Sequence, residues 1–196
     1  MEYLSKKLVD YVINVGAVPE ESYAIYQYGF QIGLEMILSF GVCLGMAIYL
    51  HMIPEFVVFT GIFMLLRTYA GGVHLNSFGA CLTCSVIVQT LILLINNKLK
   101  FTTTNAWFII LASAILIVKA TPVENINKEL DSDEKIHCKK VTIKNMVGII
   151  IFAGCCTVGN RNDTVSLIAM TILVVLISQY VGVIKFKIEK SKNERG

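Results

Sequence analysis

Charge is what this sequence has least of. Only 16% of its 196 residues are Asp, Glu, Lys or Arg, against 55% hydrophobic, and the mean hydropathy is +0.67. A water-soluble domain carries about a quarter charged residues and cannot hide so much apolar surface. A soluble globular domain is therefore excluded, and the surplus must face a lipid bilayer. The formal net charge of +3 is too small to point to nucleic acid, so no nucleic-acid partner is expected. An unbroken apolar stretch is missing at the N-terminus, where Asp10 and Asn14 interrupt the one candidate for a secretory signal. A disulfide framework is missing too. Cys43, Cys81, Cys84, Cys138, Cys155 and Cys156 match no small secreted scaffold, and three of them lie in apolar runs. They read as reduced thiols, mostly buried and inert.

What the chain does have is long apolar runs. Met36–Ile53, Phe78–Asn97 and Thr164–Ile184 contain no Asp, Glu, Lys or Arg. A helix crossing the hydrocarbon needs about 20 such residues. Pro54–Leu66, Thr102–Val118 and Asn145–Gly159 are shorter or have polar ends, and each alone also fits a buried or re-entrant helix. The placement of positive charge arbitrates. If all six runs span with the N-terminus inside, 14 of the 17 Lys and Arg residues are cytoplasmic, and only Lys98, Lys100 and Arg161 are outside. That is the bias the positive-inside rule demands, and dropping one span spoils it. The expected fold is an all-α polytopic integral membrane protein of about six transmembrane helices in one membrane domain. Residues 1–18 form an amphipathic interfacial helix, 30–184 the transmembrane bundle and 185–196 a basic cytoplasmic tail.

The N-terminal helix follows from its period. At 100° per residue, Leu4, Leu8, Tyr11, Val12 and Val15 share one face, opposite Glu2, Lys6, Lys7, Asp10 and Asn14. Such a helix either lies in the headgroup region or packs on the protein's own surface. Gly16 to Glu21, with Pro19, ends it.

The first cytoplasmic loop reads Arg67-Thr68-Tyr69-Ala70-Gly71-Gly72-Val73-His74-Leu75-Asn76-Ser77 and runs into Phe78-Gly79-Ala80-Cys81. A histidine and a cysteine are the two groups thiol catalysis needs: the thiolate attacks a carbonyl, and the imidazole takes and returns the proton. Asn76 or Ser77 suits the N-cap of a helix starting at Phe78. Cys81 then sits just past the first turn, where the positive end of the helix dipole favours thiolate. In one continuous helix His74 and Cys81 would be two turns apart, about 10 Å. The dyad therefore needs a loop that folds back, and Gly71-Gly72 supplies the freedom. Blander readings exist. A loop histidine is usually polar surface. Cys81-Leu82-Thr83-Cys84 is also a C-x-x-C, but Cys84 lies deeper than redox chemistry wants, and zinc would need His51, His137 or Cys138 as further ligands. No cofactor and no metal are expected.

The run Arg67-x-x-Ala70-Gly71-Gly72-x-His74, six residues, then Cys81, resembles the accessory gene regulator B (AgrB) family of Gram-positive bacteria. The hydrophobic layout fits that family over nearly the whole chain. A looser similarity covers Lys119-Ala120-Thr121-Pro122-Val123-Glu124-Asn125, where the family tends to have an Ala-Pro step before polar residues. The resemblance implies a cysteine endopeptidase that cleaves a small AgrD-like propeptide, with Cys81 as nucleophile and His74 as base. The acyl-enzyme is then closed by a side chain of the substrate into a thiolactone, the precursor of a quorum-sensing autoinducer. Arg67, Gly71 and Gly72 would shape the site, and Lys119 and Pro122 would stand close to substrate. The resemblance also implies a homodimer and a multi-pass cell-membrane location with the catalytic loop cytoplasmic.

Other groups carry weaker readings. Glu35 and Glu55 are expected at the starts of the first and second spans, within reach of water. Lys139 and Lys140 would hold their loop on the inside, and could also attract an acidic substrate segment. Gly41 and Gly45 form a Gly-x-x-x-Gly pattern, read first as packing within the bundle and second as a helix interface. A rival reading of the whole chain is a small transporter or channel-like subunit without covalent chemistry, which should show charged or broken helices at mid-membrane.

Overall fold

The computed structural model describes residues 2–16, 19, 22–72, 78–123 and 131–193, and every regular element among them is an α-helix. These are α1 (Glu2–Asn14), α2 (Tyr23–Tyr49), α3 (Ile53–Ala70), α4 (Phe78–Lys98), α5 (Thr103–Ala120), α6 (Ser132–Val158) and α7 (Asn162–Asn193). Helices α2 to α7 are each long and apolar enough to cross a membrane. The all-α, six-span expectation holds, and the three weaker runs are full-length helices. Hydropathy trims their polar ends, but backbone hydrogen bonding carries a helix past its apolar stretch. Local caps set the boundaries. Thr102 accepts from the Asn105 amide at 3.4 Å at the head of α5, and Asp131 with Glu134 forms a capping box at the head of α6.

The first span differs from expectation. It begins at Tyr23 rather than Met36, so Glu35 lies near the middle of α2 instead of at its edge. Its carboxylate accepts from Gln31 Nε2 at 3.2 Å, a pairing one turn apart that gives the charge a local partner.

Helix α7 is the axis of the bundle. Residues Val165 to Ile172 are buried without a break, the pattern of a helix enclosed on all sides. Around it pack Ile62 and Leu66 of α3, Ile110 and Ile117 of α5, and Met146 and Ile149 of α6. Helix α2 packs in a separate, smaller cluster, in which Cys43 and Ala47 lie against Phe56 of α3 and Val86 of α4. There Gln89 Nε2 donates to the Cys43 carbonyl at 2.9 Å, which satisfies a polar group buried at membrane depth. Gly41 and Gly45 do not pack within the bundle. They lie about 200° round the helix from Cys43 and Ala47, and nothing comes within 4 Å of where a Cβ would stand on either.

Helix α1 packs on the protein's own surface, the second of its two expected placements. Ser5 and Val9 are fully buried on the protein side, and Tyr23 Oη donates to Asp10 Oδ1 at 3.2 Å from α2. Leu4, Leu8, Tyr11 and Val15 stay exposed as an outward apolar stripe. The cysteines need a correction. All six are free, but only Cys43 is buried, while Cys84 and Cys155 are exposed. Neither belongs to the packed core.

The alternating helices give the bundle two ends. At one, Lys100 pairs with Asp163 at 2.7 Å and Asn96 Nδ2 donates to the Asp163 carbonyl at 3.3 Å. At the other lie the C-terminal ends of α3 and α5, the first turns of α4 and α6, and the last turns of α7. The 32 residues of α7 span about 48 Å against roughly 30 Å of hydrocarbon. The helix therefore runs on through residues 185–193, where a tail was expected.

Candidate functional site

The site is built where α3 stops. Gly71 N–H donates to the Arg67 carbonyl at 3.2 Å and closes the last turn. The backbone then takes φ +80° at Gly71 and +155° at Gly72, a region that a side chain makes costly. Neither glycine has room for a side chain. A Cβ on Gly71 would stand 3.0 Å from the Val123 carbonyl oxygen and 3.1 Å from its Cβ. One on Gly72 would run into the Arg67 guanidinium and lie 2.9 Å from Ser178 Oγ. The double glycine, expected to supply freedom, is a turn clamped on two sides.

One side of the clamp is the chain leaving α5. Val123 N–H donates to the Ala70 carbonyl at 3.2 Å, so the entrances of the two long loops at this end are stitched together. Pro122, in a cis peptide with Thr121, is part of this segment, while Lys119 is exposed on the last turn of α5. The other side is α7. Gln179, fully buried, directs Nε2 to the Ala70 carbonyl at 3.2 Å, the Ile117 carbonyl at 3.3 Å and Thr121 Oγ1 at 3.0 Å. Its neighbour Ser178 accepts from Arg67 Nη1 at 2.7 Å. Held there, the guanidinium lies within electrostatic range of both the Cys81 and Cys84 sulfurs.

Cys81 is the fourth residue of α4, which begins at Phe78 as expected, and the thiol is half-buried. Arg67, Gly71, Gly72, Pro122 and Cys81 thus belong to one end of the bundle. His74, Asn76 and Ser77 lie outside the described residues. His137 is exposed on the first turns of α6, its ring 6.4 Å from that of Tyr69. Among the described residues no three His, Cys, Asp or Glu side chains gather as a metal site.

Ser178 and Gln179 were not singled out from sequence, although a signal exists. They are a polar pair inside the otherwise apolar Thr164–Ile184 run, and polar groups at membrane depth need partners. Chemically, the arrangement offers a thiol at a helix start, a guanidinium that draws negative charge toward it, and a braced turn leading into residues 73–77.

Comparison with known proteins bears on what this arrangement does. Residues 5–180 match the family model described as Accessory gene regulator B. A Listeria innocua serovar 6a protein, named as AgrB-like, is 25% identical over 156 residues, covering 77% of this chain and 74% of its own. No solved structure gives a significant match.

Proposed function

The chain belongs to the accessory gene regulator B family, and on that premise we propose that it is a membrane-embedded cysteine endopeptidase that cleaves and cyclises a signal propeptide. Family membership makes this multi-pass protein part of quorum-sensing peptide processing, with a propeptide as its substrate. The finer chemistry is our reading. Cys81 Sγ, as thiolate, attacks a peptide carbonyl near the C-terminal end of an AgrD-like propeptide. The His74 imidazole, having taken the thiol proton, returns it to the departing amine, leaving a thioester on Cys81. A side-chain thiol or hydroxyl of the same peptide gives up its proton to His74 and attacks the thioester. Ring closure then regenerates the free cysteine. Arg67 draws the anionic segment or developing charge to the thiol, and the Gly71-Gly72 turn fixes the start of the histidine segment.

The observation that carries this reading is the convergence of Cys81, Arg67 and the clamped turn at one end of the bundle. Ring closure must outrun hydrolysis of the thioester. An internal nucleophile held in place reaches effective molarities of about 10⁵ M or more, and a site at the mouth of a helix bundle limits water. The charge bias supports a cytoplasmic location for this end and both termini. A homodimer fits the same reading. The test is co-expression with a candidate AgrD-like propeptide. Wild type yields the cleaved cyclic product, and Cys81→Ser and His74→Ala yield none. Product from both variants would refute the protease and leave the transporter reading.

A further inference from the structure

Gln179 ties together three groups of this site, and no part of the mechanism above uses it. It is fully buried in the central helix. Its single amide group faces three acceptors from two other helices: the Ala70 carbonyl, the Ile117 carbonyl and Thr121 Oγ1. A carboxamide has two N–H donors, so these bonds are shared. Its own oxygen, Oε1, is buried and has no hydrogen-bond partner among the described residues. A buried carbonyl left unpaired is costly, and a side chain chosen only for packing would be apolar here.

Neither carbonyl depends on Gln179 for satisfaction, and the Thr121 hydroxyl already has a partner as a donor. The Ala70 carbonyl also accepts from Val123 N–H, and the Ile117 carbonyl from Thr121 N–H and Thr121 Oγ1. What Gln179 adds is registration. It locks the last carbonyl of α3 to the last turn of α5, one residue away from Gly71 and next to the Ser178–Arg67 bond. The residues thus registered lead directly into 73–77 and 124–130.

We propose that Gln179 is a positioning residue for the reaction at Cys81, holding the Ala70–Gly72 exit and the Thr121–Val123 segment in the register that acylation requires. The inference rests on the protease reading. Removing the amide leaves the helices packed and the Cys81 thiol in place, but lets the two exits drift relative to one another. Turnover suffers, and substrate binding and fold do not.

The experiment uses the full chain in proteoliposomes, with as substrate an AgrD-like propeptide that the wild-type protein cleaves. Gln179→Met keeps the length and removes every donor. It lowers kcat at least 10-fold with KM within 3-fold of wild type, while the melting temperature and the rate of Cys81 alkylation by iodoacetamide stay unchanged. Thr121→Val removes one acceptor and lowers kcat about 3-fold, Thr121→Ser restores it, and the Gln179→Met/Thr121→Val double variant is no slower than Gln179→Met alone. A kcat within 2-fold of wild type for Gln179→Met, additive losses, or a loss that follows a falling melting temperature would overturn the proposal. The controls separate the two ideas. Cleavage that survives in Cys81→Ala brings down the protease and this inference together. Cysteine-dependent cleavage with Gln179→Met at the wild-type rate removes this inference alone.

Discussion

Replacing Gly71 with alanine tests the clamped turn quantitatively. Gly71 sits at φ +80° with ψ −167°, a combination essentially restricted to glycine. Holding an alanine there costs about 1–3 kcal/mol. The added Cβ also meets the Val123 carbonyl oxygen at 3.0 Å, its Cβ at 3.1 Å and its amide nitrogen at 3.2 Å, each tighter than ordinary contact. Overpacking of that kind adds about 1 kcal/mol when the neighbour can yield by a few tenths of an ångström. The sum is roughly 2–4 kcal/mol, and at about 1.4 kcal/mol per factor of ten it becomes a 30- to 1,000-fold loss of the native turn. The helical core is untouched, so the loss appears in propeptide cleavage and not in melting. Gly61→Ala is the matched control: Gly61 is within α3 and nothing lies within 4 Å of its Cβ position. Initial cleavage rates of both variants in membranes, normalised to protein amount, decide the matter. A Gly71→Ala enzyme within 3-fold of wild type would refute the turn's role.

Gly72→Ala should displace the Arg67 guanidinium from Ser178, and Arg67→Lys should lose the planar donor that reaches it; both lower cleavage by about 10-fold or more. Leu66→Ala, at a fully buried core position, should destabilise the bundle by about 2–5 kcal/mol, read as a fall in detergent-unfolding midpoint. Asp163→Asn removes an ion pair whose partners are exposed, worth at most about 1 kcal/mol, and should leave stability and cleavage nearly unchanged.

The spans were legible in sequence because lipid contact is written residue by residue: an apolar run and its flanking positive charges require no knowledge of neighbours. The helix ends were less so. Residues 23–35 of α2 contain Gln27, Gln31 and Glu35, polar groups that mask the helix from hydropathy although its backbone runs on and Gln31 pairs with Glu35. The line from Arg67 to Cys81 stood out as a candidate because thiol chemistry needs a histidine and a cysteine close together. Gln179 and Ser178 were visible only as a polar pair in an apolar run; what they bind, 58 to 111 positions away, could not be read. The Thr121–Val123 segment resembled the family only loosely, yet its Val123 amide binds the carbonyl at the end of α3. Long-range partners of this kind are decided by packing, which no local period records. The double glycine illustrates the limit from the other side. Its conformational licence was evident from sequence, but the atoms crowding it, Val123 and Arg67, were not.

The central claim is a covalent bond to one sulfur. Purified protein in proteoliposomes, mixed with propeptide and quenched in acid within seconds, should gain the mass of the N-terminal propeptide fragment less one water, mapped to the peptide containing Cys81 and released by hydroxylamine. An adduct on another cysteine, or rapid cleavage with no adduct on Cys81 at any quench time, would contradict the account.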